Sequence, residues 1–326
     1  MSTTTPTTRG LIVANLGTPS APTADAVSTY LREFLTDKRV VQIPHLLWKP
    51  LLNWVILPRR SPVVAEKYAE IWMGEEGSPL LAYTVRLANA LQAAMPSTRV
   101  VPAMRYGQRA LTDAISQLHE ERIHDITVLP LYPQYSTTTT ASMEDVAAVM
   151  RQRLPDARIH VVRDYHRDPR WVDAVAGSIR AFWNANGRGD RLLLSFHGIP
   201  ARVVRGGDPY ADQCEAGTDA IAEALGIPRE DILLTYQSRF GSERWLQPYT
   251  LQTVEALARD GVRRLDVACP GFAVDCLETL EEIAMQNADA FVAAGGSEFR
   301  YIPCLNDDPA HVAALAGIAS DVDTAA

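Results

Sequence analysis

Short apolar runs that stop at glycine, proline or a polar cluster recur along this chain, and amphipathic stretches lie between them. A short apolar run bounded by turn formers reads as a strand buried on both faces, whereas a 3.6-residue apolar period reads as a helix. On that basis strands are expected at 10–17, 99–104, 126–131 and 158–162, and again at 192–195, 231–235, 265–268 and 299–303. Residues 25–34 read as a helix with Val27, Tyr30, Leu31 and Phe34 on one face, and a loop at 74–80 leads into a helix ending near Met95. The two halves share a plan. Residues 168–177 align with 308–317 at an offset of 140, with Asp, Pro, Val, two Ala and Gly identical. Each copy follows a fourth strand and opens with Asp as helix N-cap and Pro at the first helical position. The pattern predicts an α/β protein of two similar doubly wound, Rossmann-like domains, each a four-stranded parallel sheet flanked by helices, facing across a cleft. The expected boundaries are 8–165, completed by the C-terminal helix at 306–326, and 166–305 for the second domain, which carries the candidate catalytic groups.

One stretch departs from this plan. Residues 43–60 are apolar almost all round, contain Pro44, Pro50 and Pro58, carry Trp48 and Trp54, and close on Arg59-Arg60. A buried helix is one reading. An exposed apolar lip at 43–58, resting on lipid or walling a flat hydrophobic ligand, is the other, and the prolines disfavour a regular core helix.

Composition narrows the function classes. A hydrophobic share of 47% with 21% charged residues fits a soluble globular protein, and a net charge of −8 argues against a nucleic-acid partner, which needs a basic face. The four cysteines form no C-x-x-C, so neither a structural zinc site nor a redox dithiol is expected. The polar first residues lack the apolar core of a secretory signal and no apolar run approaches a membrane span, so a cytoplasmic location is expected. Gly17-Thr18-Pro19 only superficially resembles a phosphate loop, since no Gly-x-Gly-x-x-Gly or Walker sequence follows.

In open α/β sheets ligands bind at the carboxyl ends of strands, so chemistry is sought at the exits. A lone His on an apolar strand is ordinarily a core residue. His197, however, follows the run at 192–195 and precedes Gly198-Ile199-Pro200 and a polar loop, which marks a site. Glu278 and Glu282 are four residues apart and share a face on a helix, either as solvated carboxylates complementing the helix dipole or beside a cation. Cys276 could be a soft metal ligand or simply packed. His197 with Asp275 and Glu278 could hold a divalent metal or form a proton-transfer pair; spacing leaves both open. Exit aromatics Tyr106, Tyr132, Tyr135, Tyr236, Phe240, Trp245 and Phe272 suit a large flat ligand, whose carboxylates Arg105, Arg202, Arg205 and Arg239 could hold.

The same segments carry a resemblance. Asn15-Leu16-Gly17-Thr18-Pro19, Gly77-Ser78-Pro79-Leu80, Met104-Arg105-Tyr106-Gly107 and Leu129-Pro130-Leu131-Tyr132-Pro133-Gln134-Tyr135-Ser136 come first. Leu194-Ser195-Phe196-His197-Gly198-Ile199-Pro200, Gly207-Asp208-Pro209-Tyr210, Tyr236-Gln237-Ser238-Arg239-Phe240-Gly241 and Asp275-Cys276-Leu277-Glu278-Thr279-Leu280 follow in order. Over nearly its whole length the chain resembles the ferrochelatase family, in detail its proteobacterial branch. The resemblance implies a lyase that inserts Fe2+ into protoporphyrin IX, forming protoheme and releasing two protons in the last step of heme biosynthesis. It implies catalytic roles for His197 and Glu278 and a metal path through His197, Glu278 and Glu282. It also implies substrate contacts at Leu16, Arg105, Tyr106, Tyr132, Ser136, Trp245, Asp275 and Cys276. A neutral imidazole suits either proton acceptance from the pyrroles or ligation of iron.

The lip at 43–58 matches the part of relatives that walls the pocket mouth and meets the membrane. The expectation is therefore a cytoplasmic protein with peripheral contact to the inner membrane. Three departures from family patterns matter. Thr137 follows Ser136 and no cysteine-bearing C-terminal extension is present, so no iron–sulfur cluster and no tightly bound cofactor are expected, Fe2+ being substrate. Cys276 stands where some relatives carry a second active-site His, and Leu16 stands where others have Met or Tyr, which leaves metal selectivity open. A chelatase for coproporphyrin or a cobalt-accepting corrinoid precursor is a nearby alternative, against which the apolar lip favours protoporphyrin. A non-catalytic tetrapyrrole carrier is another, although it would not need Glu278 and Glu282 beside a His.

Overall fold

The structure, a computed structural model, describes residues 9–322. Two four-stranded sheets, parallel throughout, carry it. In the first, β1 (Arg9–Thr18), β2 (Thr98–Gly107), β3 (Asp125–Pro130) and β4 (Arg158–Val161) lie in the order β2-β1-β3-β4. In the second, β5 (Arg191–His197), β6 (Ile232–Gln237), β7 (Arg264–Ala268) and β8 (Glu298–Ile302) repeat it as β6-β5-β7-β8. The fold class and all eight strands are those the apolar runs predict, with some ends displaced by one to three residues.

Around the first sheet run α1 (Ala24–Thr36), α2 (His45–Leu51), α3 (Leu57–Ile71), α4 (Pro79–Ala94), α5 (Leu111–Glu120) and α6 (Thr140–Arg153). With the second go α7 (Pro169–Asn186), α8 (Ala201–Arg205), α9 (Tyr210–Leu225), α10 (Thr250–Arg259) and α11 (Ala288–Ala293), and α12 (Pro309–Asp321) closes the described chain. π-helical stretches occupy Leu52–Ile56 and Glu278–Asn287. The described chain forms two compact units. One holds the residues up to Leu131, Thr137–Arg163 and those from Leu315 on; the other holds Tyr132–Ser136 and Asp164–Ala314. The second unit thus takes in the exit of β3 and the first half of α12.

Each sheet is covered on both faces, and its central strand is accordingly apolar along its length. Leu11, Ile12, Val13 and Ala14 of β1 are buried, as are Leu192, Leu193, Leu194 and Phe196 of β5. Each of the larger side chains among them, Ala14 apart, stabilises the fold by about 1.5–3 kcal/mol. Leu193, Val254, Leu265, Val267, Ile283 and Phe291 form one cluster that joins the second sheet to α10, α11 and the π-helix behind the site. Gly17, the next-to-last residue of β1, has φ +124°, and a Cβ there would fall 2.0 Å from the Tyr106 carbonyl oxygen, so the close approach to β2 requires glycine.

The duplicated helix starts are capped as their sequences predict. Asp168 accepts from the Arg170 N–H at 2.9 Å and Asp308 from the Ala310 N–H at 2.8 Å. In α1 the buried face is Val27, Tyr30, Leu31 and Leu35, with Phe34 half-buried at its edge.

The proline-rich stretch is helical from His45 on, despite Pro50 and Pro58 within it. Pro58 has no N–H for the carbonyl one turn earlier, and the ladder widens to the π form over Leu52–Ile56 just before it. Only one side of this helix is core: Trp48 is buried and donates its indole N–H to the Leu35 carbonyl at 2.6 Å. On the other side Leu46 is 86%, Leu47 69% and Trp54 83% exposed. No described helix is long and apolar enough to cross a membrane.

Candidate active site

The exits of the second sheet assemble the candidate site. His197 is the last residue of the central strand β5, where the apolar run ends, and it is half-buried. Its Nδ1 lies 2.6 Å from the Gly198 carbonyl oxygen. Donating Nδ1–H there leaves the lone pair on Nε2, which is then free to accept a proton or ligate a metal. The next residue must be small: a Cβ on Gly198 would sit 2.8 Å from the Gln237 carbonyl oxygen and 3.3 Å from the Trp245 ring. Trp245 and Phe272 flank the imidazole, each with ring centroids 6.4 Å away. The Trp245 indole N–H is buried and makes no hydrogen bond.

Gln237, at the end of β6, ties this strand exit to the carboxylate-bearing helix. Its Oε1 accepts from Ser195 Oγ at 2.7 Å, and its Nε2 donates to the Glu278 backbone carbonyl at 2.6 Å. Ser195 Oγ also lies 2.9 Å from Thr250 Oγ1, which donates to Thr235 Oγ1 at 2.9 Å. Satisfied polar chains of this kind fix one arrangement in a low-dielectric interior.

Glu282 is where the groups meet electrostatically. The backbone N–H of Ser238 donates to its Oε1 at 2.7 Å, and the Ser238 hydroxyl donates to its Oε2. To present both donors Ser238 adopts φ +63°, a left-handed conformation that costs a non-glycine residue about 1–3 kcal/mol and is concentrated at functional sites. Burial raises the Glu282 pKa; Ser238 and the nearby His197 pull it down, the Glu278 carboxylate pushes it up, and the net shift is upward. Among the described residues no hydrogen bond joins His197, Glu278 and Glu282 to one another. What results is an imidazole with a free nitrogen next to a carboxylate pair, one member of which takes up protons more readily than an exposed glutamate.

Known proteins match the chain along nearly its whole length. The Ferrochelatase family profile matches residues 8–322. A ferrochelatase from Xylella fastidiosa (strain M12) is 56% identical over 309 residues, covering 95% of this chain and 96% of that protein. One from Vibrio cholerae is 49% identical over 310 residues, covering 95% and 96%. The chain belongs to the ferrochelatase family. It is an enzyme, a metal chelatase of the lyase class acting in heme synthesis by inserting iron into porphyrin. Solved structures share its fold at low identity. SirB from Bacillus subtilis with Fe3+ superimposes with a TM-score of 0.56 at 11% identity over 97% of each chain. CbiX, described as the terminal enzyme of siroheme biosynthesis in denitrifying bacteria, gives 0.50 at 14% identity over 96% of this chain and 99% of that one.

The other residues that the ferrochelatase resemblance picks out are spread over both units. Asp275 is buried: its Oδ1 accepts from Tyr301 OH at 2.5 Å and Thr279 Oγ1 at 3.0 Å, its Oδ2 from Asn306 Nδ2 at 2.7 Å. Cys276 is buried beside it, its thiol pKa pushed up by burial and then by the Glu278 carboxylate. These two anchor the start of the Glu278–Asn287 stretch, which is π-helical where a regular α-helix was expected; π stretches recur at functional sites. Ser136 donates to Asp208 Oδ2 at 3.0 Å, and Tyr132 is half-buried in the same unit.

In the first unit Leu16 is half-buried near the end of β1. Arg105 Nη2 pairs with Asp37 Oδ2 at 2.7 Å, and Tyr106 OH donates to the same oxygen at 2.7 Å. Burial works against the charge on Asp37, but donors from Arg39, Tyr106, Arg105 and Ser142 hold its pKa below the ordinary carboxylate value. Gln237 and Ser238, at the exit of β6, hold the strand end and Glu282 in place, a part that the sequence alone does not assign to them. No spacing signal marks a left-handed serine, and only the exit of β6 could have drawn attention to it.

Proposed function

We propose that this chain inserts Fe2+ into protoporphyrin IX, with His197 and Glu278 as catalytic residues and Glu282 completing an acidic path. Iron entry expels two pyrrole protons, so the reaction needs acceptors that are unprotonated before and protonated after. His197 Nε2 is such an acceptor, or the nitrogen that first meets iron. The observation that carries the proposal is Glu282, held at both oxygens by Ser238 and in electrostatic reach of both His197 and Glu278. Its raised pKa suits a group that takes a proton from the site and passes it on. Trp245 and Phe272 supply ring faces beside the imidazole, and Leu16, Tyr132 and Ser136 are proposed as further porphyrin contacts. Arg105, Tyr106, Asp275 and Cys276, each engaged within its own unit, complete the proposed set of substrate-binding residues. No resident cofactor enters this scheme.

The test is anaerobic iron insertion followed by absorbance, in wild type and His197→Ala. A loss of about 10²–10⁴-fold in turnover is expected. Undiminished turnover in the variant would remove His197 from the chemistry, and porphyrin binding without insertion in either protein would mark a carrier.

Peripheral membrane contact through the lip is a further part of the proposal. Leu46, Leu47, Leu51 and Trp54 are exposed on a helix that also carries Lys49 and leads to Arg59 and Arg60, the composition of an interfacial anchor. Sedimentation with anionic vesicles is expected for the wild type and should fall at least tenfold in Leu47→Asp/Trp54→Asp, since two apolar anchors are lost. Equal sedimentation of the two would refute the contact.

A further inference from the structure

Away from the strand exits, the amino-terminal edge of the first sheet carries a cluster that the chelatase reaction does not use. His119 lies in the last turn of α5, His124 directly precedes β3, and Asp156 stands in the turn before β4. His119 Nε2 is 3.0 Å from Asp156 Oδ1, and His124 Nδ1 is 3.2 Å from Asp156 Oδ2. The two rings meet edge to face with centroids 4.9 Å apart. The three ligand atoms all lie within 4.8 Å of one another. We propose that His119, His124 and Asp156 bind a divalent transition-metal ion at a site separate from the catalytic one.

The second observation is at His124. Its Nδ1 is buried and makes no hydrogen bond, although a carboxylate oxygen is 3.2 Å away. The Asp156 carboxylate thus has an imidazole nitrogen close to each of its oxygens, and one of these nitrogens, His124 Nδ1, is shielded from water without a hydrogen-bond partner, which a cation shared by the three groups would supply. An ion about 2.0–2.2 Å from each donor would fit after small side-chain rotations. Two imidazoles and one carboxylate, with the remaining position open to water, form a donor set that zinc, cobalt and ferrous iron all accept.

The backbone sets this arrangement without the ion. Arg122 turns the chain at φ +62°, and its N–H donates to the His119 carbonyl at 2.9 Å. The Ile123 N–H reaches the Leu118 carbonyl at 2.9 Å, and the Arg158 N–H reaches the His124 carbonyl at 2.6 Å. A bound ion would therefore clip the end of α5, the entry of β3 and the turn before β4 together.

Cobalt chloride is the probe, titrated into the full chain and followed by visible absorption and equilibrium dialysis. Wild type and His197→Ala should both bind an equivalent that is weakened at least about tenfold in His119→Ala/His124→Ala and in Asp156→Asn. Asp156 is exposed, so its replacement spares the fold, which circular dichroism checks. Zinc should raise the melting temperature of His197→Ala but not of His197→Ala/Asp156→Asn, because an ion that binds only the folded chain stabilises it. Cobalt binding unchanged in the ligand variants, or lost with His197→Ala alone, would overturn the proposal.

Discussion

The two sheets share strand order and direction, yet their carboxyl-side residues are put to opposite use. Beyond the first sheet, Arg105, Tyr106 and Ser142 all converge on one carboxylate, Asp37, and their polar valences close on each other. Beyond the second, His197 keeps Nε2 open, Glu282 is half-buried with a raised pKa, and the Trp245 N–H has no partner. Identical topology supplies the position in both units. Whether the groups there neutralise one another or remain available decides which edge can react.

The duplicated helix starts repeat the contrast at a single position. Trp171 and His311 occupy equivalent places after Asp-Pro, and both are buried. Trp171 packs as an apolar ring. His311 bonds the Asn306 carbonyl through Nδ1 at 2.7 Å, leaves Nε2 without a partner, and is held by burial at a pKa of about 4.

The largest effect is predicted there. The folded chain keeps His311 neutral while the unfolded chain begins to protonate it below pH 6.5, so its stability contribution is complete above 6.5 and is lost as pH falls toward about 4. The full loss amounts to about 3 kcal/mol. His311→Leu should flatten the acid side of the stability curve by that much in urea unfolding at stepped pH, and an unchanged slope would contradict the account.

A smaller pair of substitutions separates the two sheet edges. Asp37→Ala strands buried donors and should cost about 1–3 kcal/mol of stability with kcat within a few-fold of wild type. Ser238→Ala should do the reverse. It removes one donor that favours the Glu282 carboxylate, so the acid limb of the pH–rate profile moves upward by up to about one pH unit while stability barely changes. If the two variants showed the same balance of lost stability and lost rate, the contrast between closed and open edges would fail.

Most of the frame could be read from the sequence because buried parallel strands announce themselves as uninterrupted apolar runs. The Asp-Pro helix starts were legible for the same reason, since cap chemistry is local. The place of His197 at a strand exit was legible from such a run, and the shared helix of Glu278 and Glu282 from their spacing, whereas the roles proposed for them came only with the family resemblance. The helical path through Pro50 and Pro58 was not, because a π stretch that absorbs a missing N–H has no residue signature. Ser238 was hidden because its left-handed backbone arises from the carboxylate it faces, 44 residues away in sequence. The pairing of His119 and His124 with Asp156 depends on neighbouring strand entries, a relation that no single window of sequence contains.

Gln237 has a mechanical consequence. One side-chain amide spans Ser195 on the strand that ends in His197 and the backbone of Glu278. To separate those two elements would break both bonds and leave a buried amide stranded, at a cost of about 1–3 kcal/mol for each unmatched group. The strand that ends in the imidazole and the helix that bears the carboxylates are therefore clamped together as one stiff body, and neither can shift without the other.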